Sequence, residues 1–438
     1  MSGRGAFDIA REVFSPRSGK DIASYPLRTQ IYGYVMSHGE VIDDGMLTLF
    51  GEGASYTGEE TAELAIHGGV LVTRLVLELL FEHGAVPAEA GEFTRLAFIN
   101  GRLDLTEVEA IGELLEAKTR EQLRLTASPQ RARLRHKIEE IREALVRLLG
   151  SVFARIDYPE EDLGELSDDE ILEELRAIRD RLTALISTYR TGKAIAEGIR
   201  TVLVGSPNAG KSTLYNLLLG EDAAIVTDTP GTTRDVLRAE VSLGRVMLNL
   251  ADTAGVREAE DADPIERLGI ERTRAALDEA ELILALFDLT AGTSASDLEV
   301  IRAVSDVGCP RIAILTKSDL GTGKLPDSAS FDAVISISAK AEPEEALRAL
   351  SGEVERLFCD EKISTSTDAI VSSARQHAAL VAALDAVNSA ISAVTLGIPA
   401  DAACADIELC LSRIGEIDGR AVSEAVTADI FSHFCVGK

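Results

Sequence analysis

Residues 205–213, with the sequence GSPNAGKST, have the types and spacing that hold a nucleotide phosphate. An apolar run precedes them and a segment with helical apolar spacing follows, which is the strand–loop–helix context of a P-loop. Gly205 and Gly210 permit the sharp turn that points successive backbone N–H groups at a phosphate. Lys211 is predicted to reach the β- and γ-phosphate oxygens, and the Ser212 hydroxyl to bind Mg2+. A glycine-rich turn before a helix is the alternative interpretation of the pattern.

Two short motifs after the P-loop predict contacts with the γ-phosphate and its metal ion. In GTTRD, the Thr233 hydroxyl is predicted to complete the Mg2+ shell and to sense the γ-phosphate. In DTAG, Asp252 is predicted to support Mg2+ while the Gly255 N–H meets the γ-phosphate. The predicted GTP-binding residues of this region are Asn208, Ala209, Gly210, Lys211, Ser212, Thr213, Thr227, Asp228, Thr229, Pro230, Gly231, Thr232, Thr233, Asp252, Thr253, Ala254 and Gly255.

Two further motifs predict that the bound base is guanine. In TKSD, Asp319 can accept hydrogen bonds from the N1–H and the exocyclic amine of guanine, while the Lys317 stem covers the ring. Thr316 stands where such proteins usually carry Asn, so we expect the side-chain tie between this motif and the P-loop to be lost. The last motif closes over the base and consists of Ser338, Ala339 and Lys340.

The residue that positions the attacking water in Ras-like proteins is missing here. Ras carries Gln after its Asp-x-x-Gly motif, and this chain carries Val256. One candidate replacement is Asn208, whose side-chain oxygen would coordinate a monovalent cation that stabilises developing negative charge, with carbonyls of residues 227–232 as further ligands. The other is Glu266, a carboxylate that would orient or activate water. By spacing alone Glu266 also fits a capping box that begins at Asp263, so both interpretations stay open.

The elements that must position these motifs alternate between strands and helices from about residue 199 to 360. We predict strands at residues 201–204, 246–250, 282–287, 312–315 and 333–337, in a parallel sheet with crossover helices.

The rest of the chain has two other patterns. Residues 1–100 mix short strand-like runs with glycine, and helical periodicity dominates residues 101–198 and 361–438. The predicted fold class is therefore multidomain. An α+β N-terminal domain is followed by an all-α helical domain in two parts, into which an α/β Ras-like P-loop G domain is inserted.

Charge and composition limit the partners and the compartment. The 438 residues carry 44 Lys and Arg against 73 Asp and Glu, a formal net charge of −29, which repels nucleic acid at long range. A local basic patch or a second protein would have to overcome that field if RNA is a partner. Five cysteines without paired spacing predict a reducing compartment. With no signal peptide or membrane-spanning run identified, we expect a cytoplasmic protein without membrane contact.

Strings along the whole chain resemble the MnmE/TrmE family of tRNA-modification GTPases. They are YTGEE, HGG and GEFTRLAFINGRLDL near the N-terminus, GSPNAGKS, GTTRD and ERLGIER in the nucleotide region, and FCVGK at the C-terminus. The resemblance implies a K+-dependent GTPase that is activated by dimerisation. It also implies a heterotetramer with the FAD-dependent partner MnmG (GidA), which installs an aminomethyl or carboxymethylaminomethyl group on C5 of the tRNA wobble uridine.

The resemblance also implies roles for single residues. A tetrahydrofolate derivative is the implied one-carbon donor, and Glu63, Arg102 and Lys438 match the residues that bind it. By strand alternation alone, Glu63 is an ordinary solvent-facing residue. The resemblance favours Glu266 as the catalytic glutamate, and Cys435 matches a C-terminal cysteine whose chemical role stays open. Ser212 and Thr233 match the Mg2+ ligands, and the implied K+ ligands are Asn208, Thr227, Thr229 and Thr232.

One departure from the family lies at the N-terminus. A strand and a segment rich in Gly and Arg precede, in the family, the position of residues 2–6. Either the start of the chain is misassigned or shortened, or this member lacks the strand. Loss of the strand would expose a sheet edge and weaken folate binding and dimerisation.

Two other functions are compatible with a G domain. A ribosome-assembly GTPase switch requires a basic RNA-binding module, and neither flank is one by its overall composition. A dynamin-like scaffold requires membrane or heptad signals, which we do not identify. The negative net charge is compatible with a role in tRNA modification if the partner protein makes much of the contact with tRNA. We therefore expect weak tRNA binding by this chain alone at physiological salt.

Overall fold

The computed structural model describes residues 1–157, 166–225, 238–251, 276–290, 294–321, 331–398 and 400–421. The chain forms two compact units. The first combines Met1–Gly112 with Gly415–Lys438, and the second is Glu113–Ile414.

The first unit is built on a four-stranded antiparallel sheet in the order β1-β2-β3-β4. Its strands are β1 (Phe14–Pro16), β2 (Gln30–Ser37), β3 (Glu40–Phe50) and β4 (Thr61–Ala65). Its helices are α1 (Ala6–Val13), α2 (Val70–Glu82), α3 (Glu92–Ile99) and the start of α4 (Leu105–Glu116), with a 3-10 turn at Ile22–Ser24. Alternation along the strands buries Ile31, Val35 and Leu47 against α1 and α2 and leaves the opposite face of the sheet more exposed.

The first two residues pair with the start of β4. The Met1 amine donates to the Ala62 carbonyl at 2.9 Å, the Ala62 N–H donates to the Met1 carbonyl at 3.0 Å, and Ser2 forms a β-bridge with Thr61. The expected exposed edge is therefore covered at this end of β4.

The second unit contains a seven-stranded sheet in the order β11-β10-β9-β5-β8-β7-β6. The strands are β5 (Ile199–Gly205), β6 (Ala224–Ile225), β7 (Arg238–Leu243), β8 (Val246–Ala251), β9 (Leu282–Asp288), β10 (Arg311–Thr316) and β11 (Ala333–Ser336). The five predicted strands are confirmed to within two residues at each end. The five predicted strands pair in parallel, as predicted. Two strands that were not predicted extend the sheet by antiparallel pairings, of β7 with β8 and of β6 with β7. A tight turn at Gly244, with φ of 59°, makes the first of these pairings possible.

The helices of this unit flank the sheet in the sequence. They are α5 (Arg120–Thr126), α6 (Ser128–Asp157), α7 (Asp168–Ala196), α8 (Lys211–Ala223, interrupted at Gly220), α9 (Ala295–Ser305), α10 (Pro343–Phe358), α11 (Ala374–Thr395) and most of α12 (Ala400–Asp418), whose end from Gly415 onward belongs to the first unit. A capping box begins α7, since the Ser167 hydroxyl accepts from the Glu170 N–H and the Glu170 carboxylate accepts from the Ser167 N–H.

Helix α11 is long and apolar enough to cross a membrane by length and composition. The prediction that the sequence holds no such run is therefore wrong. In the structure α11 contacts α7, and Leu380, Ala383 and Val387 are fully buried. A core helix of a globular unit can be equally long and apolar. The buried face formed by Leu380, Ala383 and Val387 accounts for the apolar composition of α11.

Candidate functional site

The predicted P-loop joins the end of β5 to the start of α8. A Cβ atom at Gly205 would lie 2.7 Å from the Leu286 carbonyl oxygen, so a side chain there would clash with the neighbouring strand. Gly210 has φ of 94°, a conformation that favours glycine. The loop therefore leads directly into the N-terminus of α8. The partial positive charge there and the backbone N–H groups of the loop can attract a phosphate.

Lys211 lies folded over this loop. Its Nζ donates to the Gly205 carbonyl at 2.7 Å and to the Ser206 carbonyl at 2.8 Å. Burial lowers the pKa of Lys211 below its ordinary value, because the ammonium has lost water. A phosphate would supply the negative charge that this half-buried cation lacks, so the geometry suits phosphate binding.

The other described P-loop residues surround the same turn. Ala209 is fully buried, whereas Asn208, Ser212 and Thr213 are exposed. Asn208 has φ of 64°, in the left-handed region that Asn tolerates better than most residues. Among the described residues, the Ser212 hydroxyl at the start of α8 is the predicted ligand of Mg2+. The side-chain oxygen of Asn208 is the predicted ligand of K+. Oxygen atoms are the ligands that Mg2+ prefers.

Thr316 at the end of β10 is tied to the P-loop. Its hydroxyl lies 2.8 Å from the Ala209 carbonyl oxygen and 3.2 Å from that of Phe287. The expectation that this tie is lost is therefore wrong, because a hydroxyl replaces the side-chain amide as donor. A hydroxyl has one hydrogen and donates to one of the two carbonyls at a time, whereas an amide has two.

Lys317 is held by an aspartate that the sequence analysis missed. Its Nζ donates to Asp288 Oδ2 at 2.5 Å, and the backbone N–H and hydroxyl of Thr290 donate to Asp288 Oδ1 at 2.8 and 2.7 Å. Burial by itself raises the pKa of Asp288, but the hydrogen bonds from Lys317 and Thr290 outweigh it and lower the pKa to about 2. The only signal in the sequence was an acidic residue at the end of an apolar strand.

The two predicted base-recognition motifs meet at the same edge of the sheet. The Ser338 hydroxyl donates to Asp319 Oδ1 at 2.6 Å, and the Ala341 N–H donates to Ser338 Oγ at 3.1 Å. Ser338 is buried, Ala339 is half-buried and Lys340 is exposed. One oxygen of Asp319 is thereby oriented by Ser338, which leaves Oδ2 as the other acceptor of the carboxylate.

The remaining predicted residues of the nucleotide site lie outside the described residues. They are Thr227, Asp228, Thr229, Pro230, Gly231, Thr232, Thr233, Asp252, Thr253, Ala254, Gly255, Val256, Asp263 and Glu266. Cys435 and Lys438 lie outside them as well.

Glu63 and Arg102 belong to the first unit. Glu63 is exposed on β4, opposite Thr48 of β3. The Arg102 stem packs on Gly58, where a Cβ atom would lie 3.1 Å from Arg102 Cγ. The adjacent Thr57 accepts from Asn100 Nδ2 through its carbonyl at 2.8 Å. A carboxylate and a guanidinium are therefore presented on two elements that flank the loop of residues 55–60.

The exposed face of the four-stranded sheet carries polar and aromatic groups that sequence reasoning missed. Tyr32 and Met46 are each 38% exposed, and the Tyr32 hydroxyl donates to Asp44 at 2.8 Å. Asp43 accepts from the backbone N–H of His67 at 2.8 Å and lies 2.9 Å from its Nδ1. The hydrogen bond to Asp43 raises the pKa of His67 above its ordinary value. The signal in the sequence was the alternation of aromatic residues in β2.

Asp43, Asp44 and His67 are also ligand types that lie close enough together to hold a metal ion. Both oxygens of Asp43 already accept hydrogen bonds from His67. We therefore describe the group as the hydrogen-bonded pair Asp43–His67 beside the hydrogen-bonded pair Tyr32–Asp44.

Two protein-family models together match most of the chain. The family model described as MnmE helical domain matches residues 105–435, and the model described as GTP-binding protein TrmE N-terminus matches residues 1–102. A relative from Carboxydothermus hydrogenoformans named tRNA modification GTPase MnmE is 34% identical over 443 residues, which cover 100% of this chain and 95% of the relative. A relative of the same name from Lactobacillus acidophilus is 36% identical over 443 residues, with 100% and 94% coverage.

A solved structure of Aquifex aeolicus Era is 25% identical and covers 43% of this chain and 66% of its own. Its TM-score of 0.28 is too low to compare the folds.

Proposed function

The chain belongs to the MnmE family of tRNA modification GTPases, and from this premise we propose that it is a K+-dependent GTPase activated by dimerisation. As a member of the family it hydrolyses GTP with Mg2+ and acts in tRNA modification. In the proposed reaction it works with the FAD-dependent protein MnmG (GidA), in a heterotetramer built on its own homodimer. Together they install an aminomethyl or carboxymethylaminomethyl group on C5 of the wobble uridine.

The observation that supports the nucleotide part of this proposal is the arrangement at the carboxyl ends of β5, β9 and β10. Lys211 lies over the P-loop, Thr316 ties that loop to the base-recognition motif, and Ser338 orients Asp319. Ligands of open α/β sheets bind at the carboxyl ends of the strands. We propose that Lys211 binds the β- and γ-phosphates and that Asp319 reads guanine.

For hydrolysis we propose Asn208 as a K+ ligand and Glu266 as the residue that positions water. The Asn208 side chain is exposed at the tip of the P-loop, beside the predicted phosphate position. K+ bound there would place positive charge where the transition state develops negative charge. Thr227, Thr229 and Thr232 complete the proposed K+ site, and Ser212 and Thr233 the Mg2+ site.

For the one-carbon donor we propose a tetrahydrofolate derivative bound by Glu63, Arg102 and Lys438. When bound, it supplies the carbon unit that is transferred. The Glu63 carboxylate accepts hydrogen bonds from ligand N–H groups, whereas Arg102 and Lys438 pair with ligand carboxylates. Cys435 is a further catalytic candidate in this proposal.

The proposed domains follow the sequence patterns. Residues 1–100 bind folate and dimerise, residues 101–198 and 361–438 form the helical domain, and residues 199–360 form the G domain.

The experiment compares GTP turnover in KCl and in NaCl, with light scattering to follow dimerisation. We expect turnover about 10-fold or more faster in K+, because one stabilising charge at an oxyanion is worth at least that much. Asn208→Ala should abolish the difference, while Asn216→Ala, an exposed asparagine on α8, should preserve it. Equal turnover of the unaltered protein in both salts would contradict the cation proposal.

A further inference from the structure

We propose that α5 and the first turns of α6 contact the phosphate backbone of tRNA through a basic surface made of Arg120, Arg124, Arg131, Arg135 and Lys137. Residues 118–137 contain seven Lys and Arg and one Glu, in a chain whose formal net charge is −29. The inference rests on the proposed function, in which tRNA is the substrate. It adds the location of the tRNA contact on this chain.

The five cations lie on two consecutive helices of the second unit. Arg120 and Arg124 are four residues apart on α5, and Arg131 and Arg135 are four apart on α6, so each pair shares one helix face. Arg120, Arg124, Arg135 and Lys137 are exposed. The Cβ atoms of such a pair lie about 5–6 Å apart, close to the distance between neighbouring phosphates of a nucleic acid strand.

The helix dipole favours Arg124, in the last turn of α5, but not Arg131. The first turn of α6 contains no acidic residue, and Arg131 lies at its end. The N-terminus of a helix carries partial positive charge, so a cation there is unfavourable by about 0.3–1 kcal/mol.

The ion pairs within the surface are weak enough to be replaced by phosphates. Arg124 pairs with Glu121, and its side chain is 63% exposed. Lys137 pairs with Glu140 at 2.9 Å, and its side chain is 53% exposed. The acidic partners are less exposed, with 17% for Glu121 and 34% for Glu140, but both cations face water, and surface ion pairs contribute about 0–1 kcal/mol. An RNA strand with one charge per nucleotide can therefore compete for both cations.

The total charge of the chain does not prevent this contact at physiological salt. The Debye length there is about 8 Å, so most of the −29 charge is screened from RNA that touches the basic surface. Four of the five cations are Arg, whose planar guanidinium binds phosphate with two parallel hydrogen bonds. The surface thus supplies local attraction in a chain that repels RNA elsewhere.

The test uses the full chain and a fluorescent tRNA transcript with an unmodified wobble uridine. Anisotropy gives the dissociation constant from 50 to 200 mM KCl. The variant is Arg120→Glu with Arg124→Glu, and the matched control is Arg302→Glu with Arg348→Glu, two exposed helical arginines on α9 and α10. Both double variants change the net charge equally.

We expect the Arg120/Arg124 variant to bind tRNA at least about 10-fold more weakly and to lower the slope of log affinity against log salt by about 1.5. The control should change affinity less than about 3-fold, since its charges lie outside the surface. Melting curves and GTP turnover check folding. If the Glu variant does not fold, Arg120→Gln with Arg124→Gln should weaken binding about 3-fold or more.

Equal weakening by the variant and the control would overturn the inference, because only total charge would then matter. Unchanged tRNA affinity with lost binding to the partner protein would also overturn it and would make this a protein-docking surface. Failure of the proposed function is seen separately, as GTP turnover of the unaltered protein that is equal in K+ and Na+.

Discussion

The Thr316 hydroxyl lies 2.8 Å from the Ala209 carbonyl oxygen and joins the base-recognition motif to the P-loop. Thr316 is 5% exposed and Ala209 is fully buried, so no water replaces this bond easily. The two residues lie 107 positions apart in the chain, and the bond links the predicted phosphate-binding motif to the predicted base-binding motif.

Thr316→Val should destabilise the protein by about 1–3 kcal/mol, because the buried Ala209 carbonyl loses its donor. GTP affinity should fall as well, since the P-loop loses its tie to β10. The measurements are chemical unfolding without nucleotide and GTP binding by calorimetry. Thr316→Ser is the control and should keep GTP affinity near that of the unaltered protein. Equal affinities for the Val and Ser variants would show that the hydroxyl is dispensable.

Asp288→Asn should weaken GTP binding about 10-fold, because Lys317 loses a charged partner and its stem is no longer fixed beside the base. The effect should depend on Lys317. In the background of Lys317→Ala, removing the Asp288 charge should add little further loss. A double-mutant cycle of the dissociation constants measures this coupling. Additive losses in the cycle would mean that Asp288 acts without Lys317.

Asp319→Asn should lower GTP affinity by at least about 100-fold and raise affinity for xanthosine triphosphate. Guanine presents two donors to the carboxylate, whereas xanthine presents a carbonyl where guanine has its amine, and an Asn amide can donate to it. Competition binding with the two nucleotides measures the ratio. Ser338→Ala is the companion variant and should weaken GTP binding without reversing the preference, because Ser338 only orients Asp319. A preference for GTP in the Asn variant would rule out Asp319 as the guanine reader.

The Asp43–His67 pair should make stability depend on pH. Because the folded-state pKa of His67 is raised above 6.5, its stabilisation is present below that value and is lost as pH rises through the folded-state pKa. The difference in melting temperature between the unaltered protein and Asp43→Asn should therefore be larger at pH 6 than at pH 8.5. NMR titration of the His67 ring should show its pKa fall in that variant. A difference that does not change with pH would contradict this assignment, and Asp306→Asn controls for general charge effects.

The strands and the P-loop were predictable because their signals are local. Apolar runs followed by Gly, Asp or Lys at fixed spacing placed β5, β9 and β10 to within two residues. The antiparallel strand β7 was missed although Arg238–Leu243 alternates polar and apolar residues strictly, the pattern typical of a half-buried strand. The apolar composition of α11 was underestimated because its many alanines are small.

Contacts between distant residues were not predictable from motifs. Asp288 and Lys317 are 29 residues apart, and only the parallel pairing of β9 with β10 brings the two strand ends together. The role of Thr316 was misjudged for the same reason. The motif pattern showed that an amide was absent, whereas the distance to the Ala209 carbonyl showed that a hydroxyl is near enough to replace it.

The most direct test of the proposed function is the formation of the modified nucleoside. An unmodified tRNA transcript is incubated with this chain, the FAD-dependent partner, GTP, Mg2+, K+ and a tetrahydrofolate one-carbon donor, and the digested tRNA is analysed by mass spectrometry. We predict a C5-modified wobble uridine with the unaltered chain and none with Lys211→Ala, which lacks the P-loop cation. Unmodified uridine in the complete reaction, from a chain that still hydrolyses GTP faster in K+ than in Na+, would contradict the account.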